Sequence, residues 1–189
     1  MSIRLEDVIA FSAGQNSTRL RSMDIPEEIL LTAADMDSDL VSETQESTCM
    51  IYGAESDDTV YAGDVVVHLA RGKASVVSEQ SSGKVISASF VRCEFDKRKL
   101  DPWYLCYIIN ESGAVRISFS RNLQCSYISG ARLSIATLKG IELELPPIRK
   151  QRELGRIYRK TLRAEYLMKQ KAEDTKRYML HSIYEIGGV

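Results

Sequence analysis

The chain has 189 residues and a mass of 21.2 kDa, with 44% hydrophobic and 27% charged residues. That length holds one large domain, or one domain plus an extension, and the composition excludes collagen-like, low-complexity and wholly disordered classes. The net charge of −1 hides an asymmetry: residues 1–64 carry 3 basic and 14 acidic side chains (−11), residues 65–147 net +4, and residues 148–189 net +6, so a polyanion would meet the later part of the chain or basic residues that folding brings together.

In chain order, Met1 to Asp7 has neither a basic start nor an apolar stretch, and predicts no export signal. Gln15 to Arg21 is a polar segment after the first apolar turn. Tyr61-Ala62-Gly63-Asp64 reads as a turn into a β-branched strand, Val65 to Leu69, which stops at Arg71-Gly72-Lys73. Ala74 to Val77 and Val85 to Phe95 read as strands around a Ser81-Ser82-Gly83 turn. Asp101-Pro102 starts a helix, with Asp as the cap and Pro in the first turn, that ends near Ser112-Gly113. Arg116 to Phe119 and Ile141 to Leu145 read as strands, and Ser134 to Lys139 as a short helical turn closed by Gly140.

After Pro146-Pro147 the character changes. Arg149 to Ile186 has no proline and one internal glycine, and predicts a helix of roughly 38 residues, about 57 Å long. A 147-residue globule is about 30 Å across, so the helix is expected to project. A helix this long needs a partner surface. One stripe runs Leu154, Tyr158, Thr161, Glu165, Met168, Ala172, Thr175, Met179, and a competing track runs Ile157, Thr161, Ala164, Met168. The predicted fold class is mixed α+β: a strand-rich domain over 1–147, then one long helix over 148–189 that projects and pairs with another helix.

The sequence carries few signals of catalysis. There is no phosphate-binding loop of the Gly-x-x-x-x-Gly-Lys type, no Asn-Pro-Pro-Tyr and no Gly-x-Ser-x-Gly. Cysteines at 49, 93, 106 and 125 form no Cys-x-x-Cys pair, and His68 and His181 stand apart, so zinc spacing is absent and reduced thiols in a cytoplasmic protein are expected. No apolar run approaches the roughly 20 residues of a membrane helix. Asp64 with Glu94, Asp96 and Lys97 is loosely similar to a nuclease set, but the spacing departs from it and solvated strand-end charges are the favoured reading. His68 reads as a packed strand histidine, Cys93 and Cys106 as buried thiols, and Trp103 and Tyr104 as core anchors.

The polar and basic loops carry a different chemistry. Arg, Asn and Gln read base edges, while Ser, Thr and Lys hold phosphates. The candidate DNA-binding residues are Gln15, Asn16, Ser17, Thr18, Arg19 and Arg21; then Arg71, Lys73 and Lys84; then Arg121, Asn122, Gln124, Tyr127 and Arg132. Candidates for pairing through the helix are Leu154, Tyr158, Thr161, Met168, Ala172, Thr175 and Met179.

The order of motifs is informative as a whole. Gly63-Asp64-Val65-Val66-Val67 with Arg71-Gly72-Lys73 comes first, then Asp101-Pro102-Trp103-Tyr104-Leu105, then Leu133 to Leu145 running into Pro146-Pro147 and Gln151. This resembles the specificity subunits of type I restriction–modification enzymes, whose target recognition domain has a Gly-Asp-hydrophobic strand, a Pro-aromatic-Leu helix and a strand ending in Leu-Pro-Pro-x-x-x-Gln before a long helix. Leu145 to Gln151 is the most specific piece. The resemblance implies a non-catalytic reader of double-stranded DNA that directs methyltransferase and restriction subunits to a bipartite target. It implies no cofactor in this chain, with S-adenosylmethionine and ATP on the partner subunits. A usual member has two recognition domains and two helices. This chain has one of each, which implies a half-length form that pairs as a homodimer through its helix, a spacer of the antiparallel coiled-coil type. The competing readings are a scaffold protein that pairs through the helix without binding DNA, and a nuclease using Asp64, Glu94 and Lys97.

Overall fold

The computed structural model describes residues 3–16, 20, 26–42, 58–113, 115, 117 and 133–187. Their elements, in chain order, are β1 (Ile3–Arg4), β2 (Ala10–Ala13), α1 (Ala33–Val41), β3 (Val65–His68), β4 (Lys73–Val76), β5 (Phe90–Glu94), α2 (Pro102–Glu111), α3 (Ile135–Lys139), β6 (Glu142–Leu143) and α4 (Ile148–Gly187). The class is mixed α+β with a long final helix, as the sequence predicts.

The main sheet is antiparallel, in the order β2-β5-β3-β4. Its central strand explains the run Val65-Val66-Val67. Alternate side chains of a strand point to opposite faces, and here both faces are covered. Val65 and Val67 join one core with Leu105, Ile109 and Leu138, while Val66 joins a second with Leu31, Met36, Val60, Ile86 and Phe90. β3 and β4 are joined by a tight turn at Gly72, whose φ of +60° favours a residue without a Cβ. Strands β1 and β6 pair apart from this sheet and tie the start of the chain to the segment before α4.

Helix α2 lies between β4 and α4. It starts as the sequence predicts: Asp101 accepts from the Tyr104 N–H at 2.9 Å, and Pro102 occupies the first turn. Its Asn110 covers the exposed edge of β4. The Asn110 amide donates to the Ala74 carbonyl at 3.0 Å, and its carbonyl accepts from the Ala74 N–H at 2.7 Å. An open sheet edge is thereby satisfied by a side chain.

Four expectations change, the first being that the strand over Ile141 to Leu145 shortens to β6 (Glu142–Leu143). The strand over Val85 to Phe95 contracts to β5, because the chain turns at Ser87-Ala88-Ser89, where the Phe90 N–H bonds the Ser87 carbonyl. Val85 and Ser87 keep only isolated bridges. Within the expected strand Arg116 to Phe119, Ile117 is helical, as are Gly113 and Val115 before it; Phe119 lies outside the described residues. Helix α1 was not expected. Thr32 caps it, accepting from the Asp35 N–H at 3.2 Å, while Asp35 reaches back to the Thr32 N–H at 2.8 Å.

Candidate nucleic-acid interface and spacer helix

Two prolines end the β6 segment, since proline cannot extend a ladder, and α4 begins at once. Gln151, one turn in, is 2% exposed and locks the junction. Its amide donates to the carbonyls of Pro146 at 2.8 Å and Lys99 at 3.1 Å, and its own carbonyl accepts from the Asp101 N–H at 3.1 Å. Three backbone groups from two segments meet one side chain. Next, Gly155 lets α4 touch the start of α2. A Cβ there would stand 2.4 Å from Asp101 Oδ1, 2.8 Å from the Tyr104 nitrogen and 2.9 Å from Trp103 Cβ. The contact continues through buried Tyr158, whose hydroxyl accepts from Asn110 at 3.0 Å and whose ring meets Tyr107 edge-on at 5.6 Å. Burial pushes that hydroxyl's pKa above its ordinary value. Arg159 lies 5.2 Å over the Trp103 ring, and Arg163 donates to the Val41 carbonyl at the end of α1 at 2.9 Å.

The packed part of α4 ends there. From Ala164 to Gly187 every residue but Ser182 is exposed. The helix of 40 residues is about 60 Å long, and it projects as the sequence predicts. The expected pairing stripe is displaced, however. Leu154 and Tyr158 belong to the domain's own core and are not available to a second helix. Of the stripe's exposed members, Thr161, Met168, Ala172, Thr175 and Met179, but not Glu165, fall on a row that continues the competing track beyond Met168 and reads Ile157, Thr161, Ala164, Met168, Ala172, Thr175, Met179, Ile183, Ile186, all exposed. Its steps repeat as 4, 3, 4, so the pattern recurs every 11 residues: Ile157-Met168-Met179, Thr161-Ala172-Ile183, Ala164-Thr175-Ile186. Eleven residues over three turns favours a near-straight or gently right-handed pairing over the left-handed supercoil of a heptad.

The predicted DNA-binding residues divide. Ser17, Thr18, Arg19, Arg21, Arg121, Asn122, Gln124, Tyr127 and Arg132 lie outside the described residues. Asn16 is exposed, and Gln15 is partly buried with its amide on Asp58. Arg71, Lys73 and Lys84 are engaged. Asp37 accepts from Arg71 and Lys73, each at 2.9 Å, and Asp35 pairs with Lys84 at 2.7 Å. Burial raises the Asp37 carboxyl's pKa, but the bonds and charges of Arg71 and Lys73 outweigh it and hold it below its ordinary value. Asp35 is held down in the same sense by Lys84 and Thr32 against its own burial. The acidic helix α1 thus neutralises the three cations that the sequence offered to phosphates. Their pairing could not be read from spacing, since Asp37 stands 34 and 36 positions from its partners.

The nuclease-like residues are brought closer than the sequence implies. Asp64, Glu94 and Lys97 line one cleft of about 330 Å³ with Arg92 and Tyr61. Each carboxylate already has a structural partner. Asp64 accepts from the Tyr61 N–H at 3.0 Å, Glu94 pairs with Arg92 at 2.7 Å, and Asp96 pairs with Arg98 at 3.0 Å. Among the described residues no group of three or more His, Cys, Asp or Glu is placed to hold a metal ion. His68 is packed as read: its Nδ1 accepts from the Arg71 N–H at 3.1 Å and its ring meets Phe90 edge-on. Cys93 and Cys106 are buried, and desolvation raises both thiols' pKa. Among the described residues no helix is long and apolar enough to cross a membrane.

A strand-rich domain rigidly joined to a projecting helix at a Pro-Pro-x-x-x-Gln hinge is the architecture these residues define. The same architecture occurs in solved structures. The chain is similar to the HsdS subunit from Thermoanaerobacter tengcongensis, at 16% identity and a TM-score of 0.51, over 91% of this chain and 39% of that one. It is also similar to a chain from a structure of complex assembly and conformational transition in a type I R-M system, at 16% identity and a TM-score of 0.50, over 99% of this chain and 42% of that one. The fold is that of an HsdS subunit, and the chain spans about two fifths of the length of these solved chains. No family model and no curated protein matches the sequence.

Proposed function

We propose that this chain is a non-catalytic specificity subunit of a type I restriction–modification system, in half-length form with one target recognition domain over 1–147 and one spacer helix over 148–189. It reads double-stranded DNA through the loops of its domain and directs a methyltransferase subunit and a restriction subunit to a bipartite target. S-adenosylmethionine and ATP act on those partners in the cytoplasm. Two copies pair through the exposed row from Ile157 to Ile186, each bringing one reader.

The observation that carries this reading is the hinge. Gln151 and Gly155 hold α4 in a fixed direction from the domain, while the part beyond Arg163 is left exposed with an apolar row. A fixed direction is what a spacer needs if its length is to set the gap between two half-sites. Isolated helices of this exposure are not stable by propensity alone, and an unpaired apolar row gains from a second helix.

The test is reconstitution. The chain is mixed with the methyltransferase subunit of its own system, and methylated adenines and cytosines are mapped across a genome. Methylation confined to one bipartite sequence, and absent without this chain, is the expected result. Methylation at the same positions with and without it refutes the reading.

A further inference from the structure

Most described cations on the domain are already neutralised. Arg4 meets Glu6 and Glu142, Arg71 and Lys73 share Asp37, Lys84 holds Asp35, and Arg92 holds Glu94. The outer face of the packed half of α4 is different. Residues 148–163 carry seven basic side chains against one carboxylate, Glu153, while residues 164–187 balance four against four. Arg159 and Arg163 turn back onto Trp103 and the Val41 carbonyl. Arg149, Arg152, Arg156 and Lys160 stay exposed, on an arc of the helix that the Arg163 position also shares. At 100° per residue they fall within about 80° of one another, on the side opposite buried Tyr158. All four are exposed, and none forms an ion pair among the described residues.

This stripe works against its own helix. The first turn of α4 holds no acidic residue, and Arg149 and Lys150 sit at the positive end of the helix dipole. Neighbouring cations three and four positions apart repel. An anionic partner turns both penalties into attraction. Steps of three and four residues place the cations about 4.5–6 Å apart along the axis, and three of the four are guanidinium groups, which match phosphate oxygens in pairs.

We propose that Arg149, Arg152, Arg156 and Lys160 form a contact line for the phosphate backbone of double-stranded DNA, independent of base sequence. The choice of duplex DNA rests on the function proposed above; the stripe itself rests on the charge pattern. It anchors the base of the spacer to the duplex while loops of the domain read bases, and it carries affinity where Arg71, Lys73 and Lys84 are occupied by carboxylates.

The experiment measures binding of the full chain to a labelled random-sequence duplex over a salt series. The variant Arg152→Gln/Arg156→Gln/Lys160→Gln is compared with Lys169→Gln/Lys171→Gln/Lys176→Gln on the distal half, and circular dichroism checks that helix content is kept. Loss of three phosphate contacts makes the slope of log K against log salt shallower by about 2.7; the distal variant keeps the original slope. Equal slopes for the first variant and the parent, equal loss in both variants, or no binding of duplex by the parent at low salt each overturn the proposal. Competition by poly-glutamate as strong as by duplex, charge for charge, overturns the phosphate assignment in favour of an acidic protein. A stripe-dependent slope together with unguided methylation in the reconstitution leaves the stripe standing and removes the specificity reading.

Discussion

Gly155→Ala tests the junction between reader and spacer. In an ordinary exposed helix this change stabilises by about 0.5–1 kcal/mol, because alanine loses less backbone freedom on folding. Here the new methyl group would meet Asp101 Oδ1 at 2.4 Å and the Tyr104 nitrogen at 2.8 Å. Those two atoms are the cap bond of α2, at 2.9 Å. Either the cap breaks, at about 0.5–2 kcal/mol, or α4 moves away from α2, with a packing cost of about 1–3 kcal/mol. The net expectation is destabilisation by about 1–3 kcal/mol, or a fall in Tm of roughly 2–10 °C for a chain of this size. Urea unfolding of the two proteins, followed by circular dichroism, measures it. Gly187→Ala is the control, because its Cβ meets nothing within 4 Å. An unchanged or raised midpoint for Gly155→Ala refutes the close approach of the two helices and the fixed direction built on it.

Further outcomes follow from the same geometry. Gln151→Leu keeps the volume but leaves the Asp101 N–H and the carbonyls of Lys99 and Pro146 without their partner, and is expected to cost about 2–5 kcal/mol in urea unfolding. Gln151→Glu is expected to be tolerated best below about pH 4, where the acid is protonated, and to lose stability as pH rises, because an ionised oxygen would face two carbonyls. For the parent the sign is opposite. Asp35 and Asp37 have folded pKa values below the ordinary 3.8, so their contribution is present above that pH and is lost as pH falls through the lowered values. Asp37→Asn should therefore flatten the acid limb of a stability–pH curve. It should also free Arg71 and Lys73 and steepen the salt dependence of duplex binding; an unaltered slope would show that these cations face away from DNA.

The parts of the fold that local chemistry dictates were legible. Asp101-Pro102, Ser134 with Gly140, and Pro146-Pro147 mark boundaries by capping or by a missing donor, and the structure places elements at each. Val65 to Leu69 was legible as a strand because β-branched residues suit a sheet buried on both faces. Helix α1 was hidden because Asp35, Asp37 and Asp39 mask its short apolar pair, Met36 and Leu40, although Thr32-x-x-Asp35 is a capping signal that could have exposed it. The site was less legible than the fold. Basic residues can be counted from sequence, but which are neutralised depends on contacts across many positions, as with Asp37 and its two cations. The stripe on α4 had the same cause of error in reverse: Leu154 and Tyr158 fit a helical row, but Gly155 turns that side of the helix against α2 and leaves the track through Ile157 and Met168 outside.

The central claim is that the exposed row of α4 joins two readers, and the molar mass of the full chain in solution tests it most directly. Light scattering at several concentrations is expected to give about twice 21.2 kDa, falling to a monomer in the Met168→Glu/Met179→Glu variant, whose two substitutions lie on the exposed row and away from the domain core. A monomer for the parent at every concentration, or a dimer that survives both charges, would contradict it.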